Sequence, residues 1–428
     1  MKRKEFLSLS AAAVAGWGLP FPKPASAALR GLSKAGAAGD DEAFWKLIRG
    51  QFVLDPEWTF LNFGGLGSCP LPVLQSLAEW SRLEERAPSA GHDMKEWDKV
   101  KDRLASLLGK SCRREDLALI NCATEGVNMI INGLPLKPGD EVITSTHEHV
   151  AVNTGLLNRR QRDGIVIRLF EPDIRSGGGN VDRIAGLING RTRLIIVSHV
   201  TCTTGHRLPE KDIAALARSK GVWFALDGAQ APVCVPFDIS ETGADFYACS
   251  THKWAMGPKR TGFLYVRPGM LEILRPLTVG AGSSKAYDIA KNELVLEPTV
   301  QRFEYGTQND ALFYALGTAL DMVATIGLER IWAHNHALAE RFYAGLKGIK
   351  GVEVLSPEEE TFRTAMIGFR MPGIGSSKVM EHLAKDRIRA RPVTEGGLDS
   401  IRVSFHVCNT EADVTKILDS LTKLAGKA

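Results

Sequence analysis

The chain has 428 residues, of which 44% are hydrophobic and 24% are charged, a composition typical of a folded protein large enough for more than one domain. Its 53 basic and 49 acidic residues are interspersed and leave a formal net charge of +4. This balance gives no sign of a nucleic-acid-binding surface or of attraction to an anionic membrane. No segment reaches the ~20 consecutive apolar residues of a membrane span.

The first 27 residues differ in composition from the rest of the chain. Lys-Arg-Lys at positions 2–4 precedes an apolar run at 11–19, and Ala-Ser-Ala at 25–27 has the small residues of a signal-peptidase site. The basic residues followed by Phe6-Leu7 are similar to a twin-arginine signal in which Lys4 stands for the second arginine. Residues 1–27 therefore predict export to the periplasm, whereas a segment that is not a signal would leave the protein in the cytoplasm.

The stretch from Trp223 to Val266 contains the strongest chemical signal. Two short apolar strands are predicted at 222–226 and 246–249, and Asp227 and Lys253 follow their ends. Ligands in α/β sheets bind at the carboxyl ends of strands. Chemistry based on pyridoxal 5′-phosphate (PLP) needs this pair, because a lysine holds PLP as a Schiff base and a carboxylate keeps its pyridine nitrogen protonated. The alternatives are a solvated surface lysine and a helix N-cap aspartate.

Several motifs in this stretch carry a family resemblance. Leu-Asp-Gly-Ala-Gln at 226–230 and Ser-Thr-His-Lys-Trp at 250–254, with Gly-Pro at 257–258 and Thr-Gly at 261–262, resemble the class V aminotransferase group of fold-type I PLP enzymes, in particular its isopenicillin N epimerase-like branch. The resemblance extends from about residue 60 to about residue 410 and implies PLP as the cofactor. It also implies an α/β fold, with a mixed, mainly parallel seven-stranded sheet in the large domain and a small α+β C-terminal domain.

The same resemblance gives the expected domain bounds. We expect the large PLP-binding domain over residues 61–310 and the small domain over 311–428, with residues 28–60 packed against the small domain.

Seven cysteines are widely spaced without the CxxC spacing of a metal site, so no metal is expected and no disulfide is assigned.

A predicted strand at 117–121 leads into a helix that opens with Thr124, Glu125 and Gly126. Free amide groups and the helix dipole favour an anion at such a terminus, and a threonine hydroxyl adds a donor. An N-cap threonine followed by a glutamate would give the same pattern. The resemblance places the PLP phosphate here, on Thr124 and the amides of Glu125 and Gly126.

Histidines follow two further predicted strands. After the strand 141–145, His147 and His149 alternate, which could indicate a metal, but no third ligand is apparent. The resemblance implies that His149 stacks on the pyridine ring. After the strand 194–198, it places His199 near the phenolic oxygen of PLP or a substrate carboxylate, although a strand-capping role is the alternative.

The resemblance gives roles to four residues of the central stretch. Gln230 would donate to the phenolic oxygen, while Ser250 and His252 would contact the phosphate. Lys253 would hold PLP and, once released, remove the α-proton of the substrate. Burial would lower the pKa of this lysine and make it usable as a base near neutral pH.

The segment 302–309 resembles the family's interface segment. It implies that Gly306 and Thr307 reach the phosphate of a neighbouring subunit, and hence a homodimer whose active sites are completed across the interface. The alternative is a helix N-cap, which Asn309 or Asp310 could supply.

Three residues are candidates for substrate binding. The resemblance implies that Arg402 clamps the α-carboxylate of the substrate, since a guanidinium matches a carboxylate bidentately. A surface ion pair is the alternative. Asn62 and Gly64, in a glycine-rich turn, lie at the active-site entrance in the resembled family, or simply form a tight turn.

Together these features predict a PLP-dependent enzyme acting on an amino acid, or on the amino-acid part of a peptide, through an external aldimine and a quinonoid. An aminotransferase, epimerase or related tailoring enzyme is the main prediction. Related desulfurases carry a reactive cysteine before the carboxylate-binding arginine, but residues 390–399 contain none. A desulfurase or lyase-type reaction, or PLP binding without turnover, is therefore the alternative.

Overall fold

The computed structural model describes residues 30–32, 41–88 and 93–426, so the predicted export segment lies outside the described residues. The helices are α1 (Asp41–Arg49), α2 (Leu71–Arg86), α3 (Met94–Leu108), α4 (Ala123–Gly133), α5 (Val150–Asp163), α6 (Gly179–Ala185), α7 (Glu210–Ser219), α8 (Asp310–Ile326), α9 (Leu328–Lys347), α10 (Ser376–Lys385) and α11 (Glu411–Ala425). The strands are β1 (Thr59–Phe60), β2 (Leu117–Ile120), β3 (Glu141–Ser145), β4 (Val166–Phe170), β5 (Thr192–Ser198), β6 (Trp223–Asp227), β7 (Phe246–Ser250), β8 (Gly262–Val266), β9 (Ser284–Asp288), β10 (Glu293–Leu296), β11 (Glu353–Val354), β12 (Met366–Arg370), β13 (Ile388–Arg389), β14 (Arg391–Val393) and β15 (Ser400–Ser404).

A seven-stranded mixed sheet forms the centre of the large domain, as predicted. Its order is β2-β8-β7-β6-β5-β3-β4, and β8 runs antiparallel to both of its neighbours while the other pairs are parallel. Every residue of β2, β3, β7 and β8 is buried. Strands buried on both faces read as continuous apolar runs, which explains the sequence of this region.

Each face of this sheet packs against its own layer of helices. Because side chains alternate along a strand, Tyr247 and Cys249 of β7 join one core with α3, α7 and α8, while Phe246 and Ala248 join the other with α4 and α5. Helices thus cover both faces of the central strands, whereas β4 at the edge is largely exposed. In such a sheet a site is expected at the carboxyl ends of the strands.

The packing of α8 bears on the boundary predicted at residue 310. Phe313 and Leu316 of α8 are buried in the same cluster as Val100 and Leu104 of α3. The first half of α8 therefore packs on the large domain, whereas Met322 and Val323 in its second half lie in a cluster that also contains Met366 of the small domain. The domain bounds at 310 and 311 remain a prediction. The sequence alone does not reveal this, because an apolar helix packs equally well on either side of a boundary.

The small domain is built on a four-stranded antiparallel sheet with the order β11-β12-β15-β14. Helices α9 and α11 pack on it through an apolar cluster that includes Phe342 and Ile417. The N-terminal strand β1 pairs in parallel with β13, and Leu61, just after β1, is buried in the same cluster. The residues around 59–61 therefore lie against the small domain.

Two short strands, β13 and β14, follow each other closely in the small domain. β13 pairs with β1, whereas β14 pairs with β15, so the chain changes partners at Ala390.

Within the described residues, no single helix has the length and composition of a membrane span, although α8 and α9 taken together, with a 78° bend, would reach it.

Candidate active site

Functional side chains collect where the parallel strands end. β3, β5, β6 and β7 run in the same direction, so their carboxyl ends lie at one edge of the sheet. Ser198 at the end of β5 pairs with Asp227 at the end of β6, and Asp227 pairs with Ala248 of β7. His149 follows β3 and Lys253 follows β7, which brings all four strand ends to one site.

Lys253 and Asp227 form the centre of this site. Asp227 is 4% exposed, and its Oδ1 accepts a hydrogen bond from the Ala229 amide at 2.9 Å. Lys253 is buried and forms no salt bridge with any described residue. Burial lowers the pKa of Lys253; Asp227 acts against this and Arg402 adds to it. The lysine is therefore a better base and nucleophile near neutral pH than an exposed lysine.

Arg402 of β15 is a buried cation without a described carboxylate partner. Its Nη1 donates to the Cys202 carbonyl and its Nη2 to Asn62 Oδ1, both at 2.8 Å, and its Nε has no partner. Burial lowers the pKa of Arg402 to about 10, and Arg391 adds to this. A desolvated guanidinium is costly unless an anion compensates it. The arrangement therefore fits an anionic ligand such as a carboxylate.

The turn that contains Asn62 and Gly64 contacts both Arg402 and Gln230. The Gly64 carbonyl accepts from Gln230 Nε2 at 2.7 Å, and Gln230 Oε1 accepts from Trp254 Nε1 at 2.9 Å. A Cβ on Gly64 would lie only 2.7 Å from Met366 Sδ, so the close approach of this turn requires glycine. The glycine turn thus joins the substrate side of the site to Gln230.

The N-terminus of α4 has the features of an anion site. The Ala123 amide donates to Ser250 Oγ at 2.8 Å, while the amides of Thr124 and Glu125 have no acceptor among the described residues. The prediction for Gly126 needs correction, because its amide donates to the Cys122 carbonyl at 3.2 Å. Its missing Cβ serves packing instead: a Cβ there would lie 2.7 Å from the Ala248 side chain.

Two further side chains lie at this anion site or beside it. His252 Nδ1 is buried without a partner, and burial, followed by Lys253 and Lys259, lowers the pKa of His252 to about 4. The Glu125 carboxylate is occupied by hydrogen bonds from the Asn121 amide at 2.6 Å and Tyr305 Oη at 3.2 Å. Only the backbone of Glu125 is therefore available to a ligand.

His149 is the N-cap of α5, and its Nδ1 accepts from the Ala151 amide at 3.2 Å. Burial lowers the pKa of His149 and Lys253 lowers it further, so the ring is neutral at physiological pH. His147 is fully buried, with Nε2 3.4 Å from Glu171. No group of three metal-ligating side chains occurs among the described residues.

His199 occupies a different environment from the one predicted. Its Nδ1 lies 3.0 Å from Tyr247 Oη, its Nε2 lies 3.7 Å from Glu210, and its ring packs edge-on against Phe237. Side chains alternate at the end of a strand, so Ser198 and His199 point to opposite faces. The structure thus places the ring in the core beside α7, and the expected contact with PLP or substrate does not follow from this geometry.

Gly306 and Thr307 lie on the surface of the chain. Thr307 lines a shallow cavity with Asn121, Arg260 and Tyr305. Nothing within 4 Å would meet a Cβ on Gly306. Their predicted contact is with another subunit, so it remains a prediction.

The sequence analysis missed two residues of the site. Glu148 is fully buried, with its carboxylate oxygens accepting from Ser145 Oγ and Ser198 Oγ, both at 2.6 Å. Arg391 lies opposite Arg402 in the β14–β15 pair. The only signal for Glu148 was its place between the two histidines, and Arg391 gave none.

These residues fit PLP. A buried lysine amine and a buried carboxylate lie at neighbouring strand ends, where the cofactor needs a covalent partner and a pyridinium partner. Unpaired amides at the start of α4 and the unpaired His252 Nδ1 supply donors for a phosphate.

Comparisons with known proteins agree with this fit. The family model for class V aminotransferases matches residues 69–417. The isopenicillin N epimerase of Streptomyces clavuligerus is 29% identical, covering 90% of this chain and 99% of the relative. A probable cysteine desulfurase of Methanothermobacter thermautotrophicus is 26% identical, covering 89% and 98%. The structure of a C-DES mutant with glycine covalently linked to PLP superposes with a TM-score of 0.80 at 26% identity, covering 87% of this chain and 98% of that one.

The fold and the site are therefore those of a fold-type I, PLP-dependent enzyme that acts on amino acids. The chain belongs to the class V aminotransferase family.

The buried Glu148 gives the protein a testable pH dependence. Burial raises the pKa of Glu148 from 4.5 to about 7 despite the two serine hydroxyls, and Asp227 adds to the rise. The protonated form therefore stabilises the fold below pH 4.5, and this contribution is lost as the pH rises through 7. The difference between these two pKa values corresponds to roughly 3 kcal/mol in the free energy of unfolding.

We expect Glu148→Gln, which keeps the neutral shape, to gain stability relative to the parent protein by up to this amount between pH 5 and 8. Denaturant unfolding followed by tryptophan fluorescence measures the difference. Glu241→Gln, at an exposed carboxylate, is the control. An equal pH dependence of the parent and Glu148→Gln would contradict the prediction.

Proposed function

We propose that this enzyme removes the α-proton of an amino acid, or of the amino-acid part of a peptide, in an epimerase or aminotransferase reaction. The observation that carries the proposal is the pair of buried cations, Lys253 and Arg402, that lack a described carboxylate partner. Arg402 would hold the α-carboxylate with Asn62 beside it. Lys253 would then meet the amine and the α-proton.

The roles of the surrounding residues follow from their positions. PLP, when bound, supplies an acceptor for the electrons left by the departing proton. Asp227 would hold the pyridine nitrogen protonated and His149 would pack on the ring. The amides of Thr124 and Glu125 would bind the phosphate, with the Thr124, Ser250 and His252 side chains as further donors. Gln230 is held by Gly64 and Trp254 in a position to donate to the phenolic oxygen.

Cys202, whose carbonyl accepts from Arg402, argues against sulfur transfer. Cys202 is buried, and burial raises its pKa to about 11, with only partial relief from Arg391, Arg402 and Lys253. A thiol in this state is a poor nucleophile, because the thiolate is the reactive form. Desulfuration therefore remains the second candidate, supported by family membership alone.

Replacement of Lys253 tests the proposed function. We expect Lys253→Ala to lose the covalently held cofactor and its visible absorption band, together with at least ~10³-fold of activity, because both the covalent partner and the base are removed. Absorption spectra and borohydride trapping with peptide mapping measure this. Lys259→Ala, at an exposed neighbouring lysine, is the matched control and should keep the band. A trapped cofactor on another lysine would refute the assignment.

The reaction type can be read from the parent protein in deuterated water. Exchange of the α-proton with loss of chirality indicates an epimerase, and release of a 2-oxo acid with transfer of the amino group to the cofactor indicates an aminotransferase. Formation of alanine from cysteine, with sulfide released when a thiol reductant is added, indicates a desulfurase. Bound cofactor without any of the three indicates a binding protein.

We also propose that the chain is a homodimer, with Gly306 and Thr307 serving the partner's phosphate. The supporting observation is the β9–β10 hairpin, which exposes Tyr287 by 76% and Ile289 by 86%, with Leu294 also exposed. Apolar side chains clustered on a surface mark an interaction site. A second copy of the chain is the partner that the predicted interface segment requires.

Charge placed on the hairpin tests the dimer. We expect the double variant Tyr287→Asp, Ile289→Asp to become monomeric in light scattering and to hold PLP more weakly, because the interface loses its apolar contacts. Leu169→Asp, at an exposed leucine of β4, is the control and should remain dimeric. A parent protein that is monomeric at micromolar concentration would refute the proposal.

Finally, we propose that residues 1–27 direct export. The support is the basic–apolar–small pattern of this segment. We expect the full chain expressed in a Gram-negative host to appear in the periplasmic fraction with an N-terminus at Ala28. N-terminal sequencing checks this, and Arg3→Gln with Lys4→Gln should retain the protein in the cytoplasm. Cytoplasmic protein beginning at Met1 would refute it.

A further inference from the structure

A second arginine lies beside the one that faces the substrate. Arg391 and Arg402 are cross-strand partners on β14 and β15. Both guanidinium groups donate to the Cys202 carbonyl, Arg402 at 2.8 Å and Arg391 at 3.3 Å. Two like charges on one acceptor repel each other, and each adds to the cost of burying the other. Such a pair needs anions nearby.

The described residues supply one of these anions. Glu395, four residues after Arg391, accepts from Arg391 Nη2, and its other oxygen accepts from the Thr394 amide at 3.2 Å. Burial alone would raise the pKa of Glu395, but the hydrogen bond from Arg391 lowers it. Glu395 therefore balances one guanidinium. Arg402 is left for the α-carboxylate, and a second carboxylate would share Arg391 with Glu395.

The two arginines differ in their access to a ligand. Arg402 is fully buried, whereas the side chain of Arg391 is 23% exposed and that of Glu395 is 16% exposed. A guanidinium has five N–H donors, and the contacts of Arg391 with Cys202 and Glu395 involve only its two terminal nitrogens. Arg391 thus has donors to spare on a partly exposed side chain.

We propose that Arg391 and Glu395 form a subsite for a second carboxylate, so that the enzyme acts on amino acids with an acidic side chain or on peptides with a carboxylate in that place. This inference rests on the proposed function, because it takes Arg402 as the α-carboxylate site. Arg391 is the cross-strand neighbour of Arg402 and shares its Cys202 acceptor, so we place the second carboxylate there. Glu395 fixes the guanidinium and neutralises it in the absence of substrate.

The test compares ligands that differ only in the second carboxylate. Calorimetry on the PLP-loaded parent protein should show glutarate binding at least about tenfold more tightly than valerate, since a charge-assisted bidentate pair contributes about that much. The visible band should likewise respond to L-glutamate at a tenfold lower concentration than to L-glutamine. Glutarate has no amine, so its binding does not depend on the reaction at Lys253.

Variants assign the preference to Arg391. We expect Arg391→Gln to weaken glutarate binding more than valerate binding and so to abolish the difference between the two ligands, and Glu395→Gln to tighten glutarate binding. Arg389→Gln, an exposed arginine on β13, is the matched control and should keep the preference. The control excludes a general effect of net charge.

Other outcomes overturn the inference. Equal binding of glutarate and valerate by the parent protein would refute it, and so would an Arg391→Gln variant that weakens both ligands equally, which would indicate a role in holding Arg402 alone. Failure of the proposed function is distinguishable, because it shows as a protein without a lysine-bound cofactor, whatever its preference among carboxylates.

Discussion

The structure depends on the burial of two cations without carboxylate partners among the described residues. Moving an ammonium and a guanidinium out of water costs several kcal/mol each unless nearby groups compensate. Arg402 receives partial compensation from the Cys202 carbonyl and from Asn62, and Lys253 from the charge of Asp227. Anionic ligands would remove the remaining free-energy cost of burying these cations. The fold therefore keeps the two cations buried before a ligand binds, at the expense of stability.

The scaffold brings these charges together from three parts of the chain. Lys253 and Asp227 come from strand ends of the large sheet, Arg402 from a strand of the small domain, and Asn62 from the turn that follows β1. Contacts between these parts fix the distances, such as Arg402 to the Cys202 carbonyl and Gln230 to the Gly64 carbonyl. Positioning therefore depends on domain packing as much as on the local motif.

The central sheet and the main site residues could be predicted from the sequence, and what the sequence did not reveal has physical causes. The strand predicted at 141–145 is β3, with the same bounds, whereas β4 is largely exposed and α5 is rich in polar residues, so their sequences carry a weaker pattern. Lys253, Asp227 and Arg402 lay in motifs. His199 was misplaced because one step along a strand reverses the direction of a side chain. The importance of Arg391 depends on its pairing with Arg402 across two strands, which spacing along the chain does not reveal.

The same reasoning explains why the reaction and the substrate are separate problems in this fold. The groups that would make the α-carbon reactive lie at the ends of buried strands, where a substitution would disturb the core. The groups around Arg391 lie on a short strand and on the turn at 394–397, where Glu395 is held by two hydrogen bonds and solvent lies nearby. Substitutions there change the charge that a substrate side chain would contact, at little cost to folding. Selectivity can therefore change in this turn while the catalytic groups at the sheet edge stay the same.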